Sequence, residues 1–274
     1  MKSSLSTVPN ALQTLPDRIE FLESVLRPTG RGAVPIRGAF IQARTEEDKG
    51  VPGLLAKFST DQRALQAYLL IHALASSRDP HSATYPAITW AHAAGFTLFA
   101  SETSARQRWS KAVKTLVELQ LVRTSKDGRL TVYHLLHESG DGTDYWRPKT
   151  KADGAWVPLP HTYWYDGDDQ QLNLAETLML LISLDQKEPF ELPAERVQGW
   201  YGLSKATAQR GFSGLAERGI LSVEKSSVPD KNSTTLWRTT NSYSTQGKWT
   251  KAARKEAMKL NRKRRPKPTL KATT

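Results

Sequence analysis

There is no cysteine among the 274 residues. A disulfide framework, a zinc–thiolate site and a cysteine nucleophile are excluded together, and the absence fits a reducing compartment. No run of about 18 apolar residues occurs, so no membrane span is expected. The opening "MKSSLSTVPNALQTLPDR" has no apolar signal core, from which we expect a protein that is not secreted. P-loop, GxGxxG, GxSxG and HExxH patterns are all missing, so we expect neither an enzyme nor a cofactor. His134 and His137 lie three apart on an expected strand and would face opposite ways. Asp166, Asp168 and Asp169 could touch a metal, but the glycine and bidentate glutamate of an EF-hand are missing from the required places. They read as an exposed acidic loop, and no metal site or small-molecule substrate is evident.

What is present is a soluble balance, 38% hydrophobic and 24% charged, over a length that suits two domains. The net charge of +12 is unevenly placed. From Gln246 onward there are eleven Lys or Arg against one acid, Glu256. The other 245 residues carry only +2. Any claim on nucleic acid by the body of the protein must therefore rest on pattern rather than on bulk charge.

Residues 1–57 are punctuated by proline and glycine and read as an irregular N-terminal arm. One short helix is expected at "PDRIEFLESVL", where Ile19, Leu22 and Leu26 share a face. Over 58–137 the order is helix, helix, helix, hairpin. Ser59 and Gln62 have capping-box spacing before a stripe of Leu65, Tyr68, Leu69, His72 and Ala75. "YPAITWAHAAGF" and "SETSARQRWSKAVKTLVELQL" follow as helices. Asp127-Gly128 between alternating runs predicts a type I′ hairpin. Residues 138–159 are turn-rich and read as a surface linker.

Over 160–245 the order repeats. Asn173 and Glu176 can cap "LNLAETLMLLISLDQ", "LPAERVQGWYG" is a short helix, and "LSKATAQRGFSGLAERGIL" is the third. A polar turn then joins two strands. Aligning Leu116 with Leu215, an offset of 99, brings Lys111 onto Arg210, Val113 onto Phe212 and Trp109 onto Ala208. Residues 246–274 form a basic tail, expected to be helical through about Lys259 and extended at the prolines beyond.

The runs "SARQRWSKAVKTLVELQLVRTSKDGRLTVY" and "GWYGLSKATAQRGFSGLAERGILSV" resemble the winged-helix form of the helix-turn-helix superfamily. That resemblance implies a mainly α fold with small β-hairpins (α+β), two winged-helix domains in tandem. It implies double-stranded DNA as partner, with each third helix in a major groove and each hairpin as a wing. On the third helices, Trp109, Val113, Leu116, Ala208, Phe212 and Leu215 fall on inward faces, and Ala206 lies outward. Ser104, Gln107, Arg108, Lys111 and Lys114 are the outward or flanking candidates in the first unit, with Ser110 beside them. Ser204, Lys205, Gln209, Arg210 and Ser213 are those of the second. Arg and Lys can bond guanine O6 and N7, Gln can pair with adenine, and a serine at the helix start suits phosphate. Arg123, Lys126, Arg129, Lys225, Lys231 and Arg238 are wing candidates for backbone contact. Lys259, Arg262, Lys263, Arg264, Arg265 and Lys267 would add salt-sensitive attraction from the tail. Trp109 and Trp237 read as packing residues rather than stacking platforms.

The functional expectation is a cytoplasmic, nucleoid-associated transcriptional regulator of the bacterial type. A plasmid or phage replication initiator that binds origin repeats is the alternative. A tandem winged-helix interaction adaptor in chromosome or plasmid maintenance is a third reading. Whether a homodimer doubles the footprint is left open by the sequence.

Overall fold

The computed structural model describes residues 15–263, apart from 46, 48, 99, 149–152, 230 and 232–235. It has a mixed α/β architecture in which helices pack on four small antiparallel sheets. The N-terminal region is more ordered than an irregular arm. Helix α1 (Leu15–Leu26) buries Leu22 and Leu26, while Ile19 is half-buried. Strand β1 (Ala33–Arg37), the short helix α2 (Gly38–Ile41) and strands β2 (Gln42–Arg44) and β3 (Gly50–Pro52) follow. Val34, Ile36, Phe40 and Ile41 from this region are fully buried.

Two runs of elements then share one order. The first is α3 (Gln62–Leu74), β4 (Ser82–Thr84), α4 (Ala87–Ala93), α5 (Glu102–Glu118), β5 (Val122–Asp127) and β6 (Leu130–Leu135). The second comes after β7 (Trp156–Pro160) and the single-turn helices α6 (Thr162–Tyr165) and α7 (Asp168–Gln171). It comprises α8 (Leu174–Asp185), β8 (Phe190–Glu191), α9 (Ala194–Tyr201), α10 (Lys205–Glu217), β9 (Leu221–Pro229) and β10 (Trp237–Thr245). In each run the third strand lies between the other two, giving sheets β4-β6-β5 and β8-β10-β9. The two leading strands, three and two residues long, are too short for alternation to announce them.

Local chemistry explains the helix starts. Asn173 and Glu176 close a reciprocal capping box on α8, at 3.0 and 2.8 Å. On α3 the cap is Asp61, whose carboxylate accepts from the Ala64 N–H at 3.0 Å, rather than Ser59. A carboxylate at that end also complements the helix dipole. Ser101 and Ser204 cap α5 and α10 by accepting from the backbone N–H of Ser104 and Thr207. The first hairpin pairs Asp127 with Leu130, so Gly128-Arg129 is the two-residue loop. Only Gly128 has positive φ there, at 56°. A single positive φ at the first loop position is the type II′ demand, not the type I′ turn expected from Asp-Gly.

The segment between the two runs is anchored to the interior at several points. Glu138 is fully buried, Tyr145 is 4% exposed, and β7 pairs antiparallel with β1, from Ala33 opposite Pro160 to Arg37 opposite Trp156. Helix α11 (Lys251–Lys263) packs across this sheet. Its Arg254 is buried and donates to the carbonyls of Trp249 at 2.9 Å and Leu184 at 3.3 Å. The basic C-terminal region thus begins as packed structure. One continuous hydrophobic cluster holds residues of both runs, of β1–β7 and of α1. The two runs are therefore joined by packing rather than by a free linker.

The acidic triplet is also structural. Asp169 is buried and pairs with Arg18 of α1, which also donates to the Ala93 carbonyl at 3.0 Å. Asp166 and Asp168 both pair with Lys248. The burial of Asp169 and half-burial of Asp168 correct the expectation of an exposed acidic loop, while Asp166 is exposed as expected. Removing either Arg18 or Asp169 alone would strand a buried charge between α1 and α7, at a cost of about 3–5 kcal/mol. Among the described residues no group of three His, Asp or Glu could hold a metal ion, and no helix is long and apolar enough to cross a membrane.

Candidate nucleic-acid interface

Packing of the inner faces decides what the third helices show to solvent. On α5, Ala105, Trp109, Ala112 and Leu116 are buried, and Val113 is half-buried. Trp109 stacks on Trp90 of α4 at 5.0 Å and 9°. Its indole N–H donates to the Tyr133 hydroxyl of β6 at 2.9 Å. On α10 the buried positions are Ala208, Gly211, Phe212 and Leu215. Phe212 stacks on Tyr243 of β10 at 4.2 Å and 10°. Each third helix is thereby fixed against its second helix and its hairpin, with the opposite face outward.

That outer face carries most of the sequence candidates. Gln107, Lys111 and Lys114 are exposed on α5, as are Ser204, Lys205, Gln209, Arg210 and Ser213 on α10. Several cations are already occupied. Lys114 lies 3.7 Å from Glu118, and Lys205 lies 2.6 Å from Glu195. Arg108 is half-buried and leans toward the Phe96 carbonyl at 3.5 Å. Ser104 is half-buried in the first turn of α5 rather than at its cap. Exposed pairs of this kind are worth at most about 1 kcal/mol, so a phosphate could displace them. Lys111 and Arg210 sit at equivalent positions, and Arg210 donates to the Ala206 carbonyl of its own helix at 3.3 Å.

The starts of α3 and α8 come together at one groove beside α10, which the sequence did not announce. The Thr115 hydroxyl of α5 contacts the Asp61 carboxylate at the start of α3, at 3.4 Å. Ser59 and Gln62 beside it line a groove of about 380 Å³ with Thr207 and Arg210 of α10 and Asn173 at the start of α8. The starts of α3 and α8 meet there, tied by the Gln62 amide donating to the Leu172 carbonyl at 3.1 Å. Both helix N-termini direct positive dipole ends toward the neighbourhood of Arg210.

The hairpins differ more than the helices. On the short one Arg123 pairs with Asp144 at 3.2 Å, Lys126 donates to Thr131 at 2.9 Å, and Arg129 is exposed at the turn. The second is a ribbon of two nine-residue strands. Lys225 and Lys231 are exposed on it, and the backbone of Arg238 pairs with that of Val228 in the ladder. Trp237, expected to pack, is 55% exposed near the tip, beside Leu236 at 65%. On α11, Lys259 is exposed and 3.7 Å from Glu256, and the helix runs on through Arg262 and Lys263. The candidates Arg264, Arg265 and Lys267 lie outside the described residues.

In comparisons with protein-family models, with curated proteins and with solved structures, nothing matches this chain.

Proposed function

We propose that the protein binds double-stranded DNA in a sequence-specific way through two winged-helix units, as a transcriptional regulator of the bacterial type. One observation carries the reading. The same order of helix, strand, helix, helix and hairpin occurs twice, each time with its third strand central and the outer face of its third helix exposed. In this reading Gln107 and Lys111, and Gln209 and Arg210, reach base edges in the major groove. The hairpins and the groove between the starts of α3 and α8 receive phosphates. The common hydrophobic cluster supports a fixed spacing between the two readers. A replication initiator shares this geometry, since two readers at fixed spacing suit repeated sites.

The test is fluorescence anisotropy or gel shift against genomic fragments at two salt concentrations. Salt-sensitive binding with a preferred fragment is expected, and no binding at low salt would sink the reading. Enrichment of promoter fragments over repeats at an origin separates regulator from initiator. Arg210→Ala, and separately Lys111→Ala, should cost about 1–3 kcal/mol on the preferred site and relax its choice of sequence. Removing the residues after Lys263 should instead weaken all sequences alike and lower the salt slope by about 0.9 for each phosphate that is no longer neutralised. If Arg210→Ala weakened every sequence equally, α10 would be a phosphate clamp and not a reader.

A further inference from the structure

A cavity of about 200 Å³ is lined by residues at and beside the β1–β7 sheet. Its walls include Arg31, Arg147, Pro35, Pro148, Trp156 and Met258 of α11. Arg31 is tied to the end of α3, donating to the carbonyls of Ala73 and Ala75 at 2.5 and 2.8 Å. Arg147 reaches the Ser76 carbonyl through one terminal nitrogen at 3.4 Å. Its Nε and other terminal nitrogen are buried and meet no acceptor among the described residues. Two guanidinium groups therefore share one small recess, and one of them holds donors in reserve.

The surroundings deepen the imbalance. His161, 1% exposed, follows β7 and bonds the Gly32 carbonyl of the cavity wall through its backbone N–H, at 2.9 Å. Neither of its ring nitrogens has a partner among the described residues. Burial, and then the charges of Arg31 and Arg147, push its pKa down to about 3. Burial and the Arg147 charge lower Arg31 to about 9. Glu138, whose charge acts on Arg147, is taken by Arg37, whose Nε lies 2.8 Å from it and whose backbone N–H donates at 3.0 Å. Buried donors without acceptors and like charges side by side both oppose folding. An anion between the two guanidinium groups would relieve both at once. The remaining walls are aromatic and aliphatic, which suits an apolar body attached to the charge.

We propose that this cavity binds a small organic oxyanion, its carboxylate or phosphate between Arg31 and Arg147 and its apolar body against Trp156, Pro35 and Met258. A volume of 200 Å³ equals the share of about six or seven waters, so the body is no larger than about one ring. The site joins the end of α3, the central sheet and α11, and its existence does not depend on the DNA reading.

Benzoate, phenyl phosphate and uncharged benzamide are the probes, titrated into the full chain at constant ionic strength and followed by calorimetry. We expect saturable one-to-one binding of at least one anion, with benzamide about tenfold weaker or worse. The tighter anion identifies the head group. Arg147→Met should weaken that anion about tenfold or more. Should Arg147→Met fail to fold, Met258→Glu would place a competing carboxylate at the cavity and should abolish the added anion's binding. Absence of saturable binding by both anions, equal binding of benzamide, or full affinity in the folded variant would each overturn the proposal.

Discussion

The two repeated runs reach one geometry with different residues. At an offset of 99 the ends of α5 and α10 coincide, as do the starts of β5 and β9. Gln120 and Gly219, at that offset, both have positive φ, 53° and 68°. Tyr133 lies opposite Thr124 and Tyr243 opposite Val223, so the two tyrosines hold one place in the two ladders. Each receives an aromatic ring from its third helix, but from different positions. Trp109 meets Tyr133 edge-on at 5.8 Å, whereas Phe212 stacks on Tyr243 at 4.2 Å. Where the first run has Trp109, the second has the buried Ala208. Where the first has Ala112, the second has Gly211, over which α8 closes so tightly that a Cβ would meet Met179 Cγ at 2.4 Å and the Ala175 carbonyl at 2.5 Å. Shape is held in common while volume moves between neighbouring positions.

This contrast can be broken by substitution. Trp109→Ala removes the ring that fills the first run and should cost about 3–5 kcal/mol in denaturant unfolding. A change below about 1 kcal/mol would show that this aromatic contact does not hold α5 in place. Gly211→Ala should cost about 1–3 kcal/mol, because the added methyl meets a backbone oxygen that cannot swing aside. A neutral outcome would mean that α8 and α10 are less closely set than these distances state.

Acid sensitivity sharpens the comparison. Counted from the caps Asp61 and Asn173, His72 of α3 takes the place of Leu184 in α8. Burial, then the charges of Arg147 and Arg31, hold His72 well below its ordinary 6.5. This outweighs Glu138, 3.7 Å away, whose own pKa burial raises from 4.5 to about 7. The unfolded chain protonates this histidine below about 6.5 and the folded one does not. Its stability contribution is therefore present above pH 6.5 and is lost as pH falls. Glu138 works the other way: its contribution is full below about 4.5 and is lost as pH rises through about 7. His72→Leu should flatten the acid limb of a stability–pH curve by about 1.4 kcal/mol per pH unit. A limb left unchanged would mean that His72 is charged in the fold. The smallest effect should come from Ala112→Gly, about 1 kcal/mol, since it restores in the first run the residue of the second.

The interval of 99 was legible because the end of each third helix carries a strong local signal: an apolar stripe that runs directly into a hairpin. The outer faces with Lys111 and Arg210 were legible for the same reason, as the complement of an inward stripe. What stayed hidden was non-local or too short. Strands β4 and β8 have too few residues for a period. The β1–β7 pairing joins segments more than a hundred residues apart, and neither segment names its partner. Arg31 and Arg147 carry no motif, and only the tertiary fold brings them to one cavity. Lys248 and Arg254, counted as tail cations, are spent on Asp166, Asp168 and backbone carbonyls.

The sequence by itself determined the repeated order of helices and hairpins and the faces they present, because periodicity and capping act within a few residues. Tertiary structure alone decided which charges are free, how the two runs are joined, and where unsatisfied donors gather. Those depend on contacts across the chain, in which burial removes the water that would otherwise make every charge look alike.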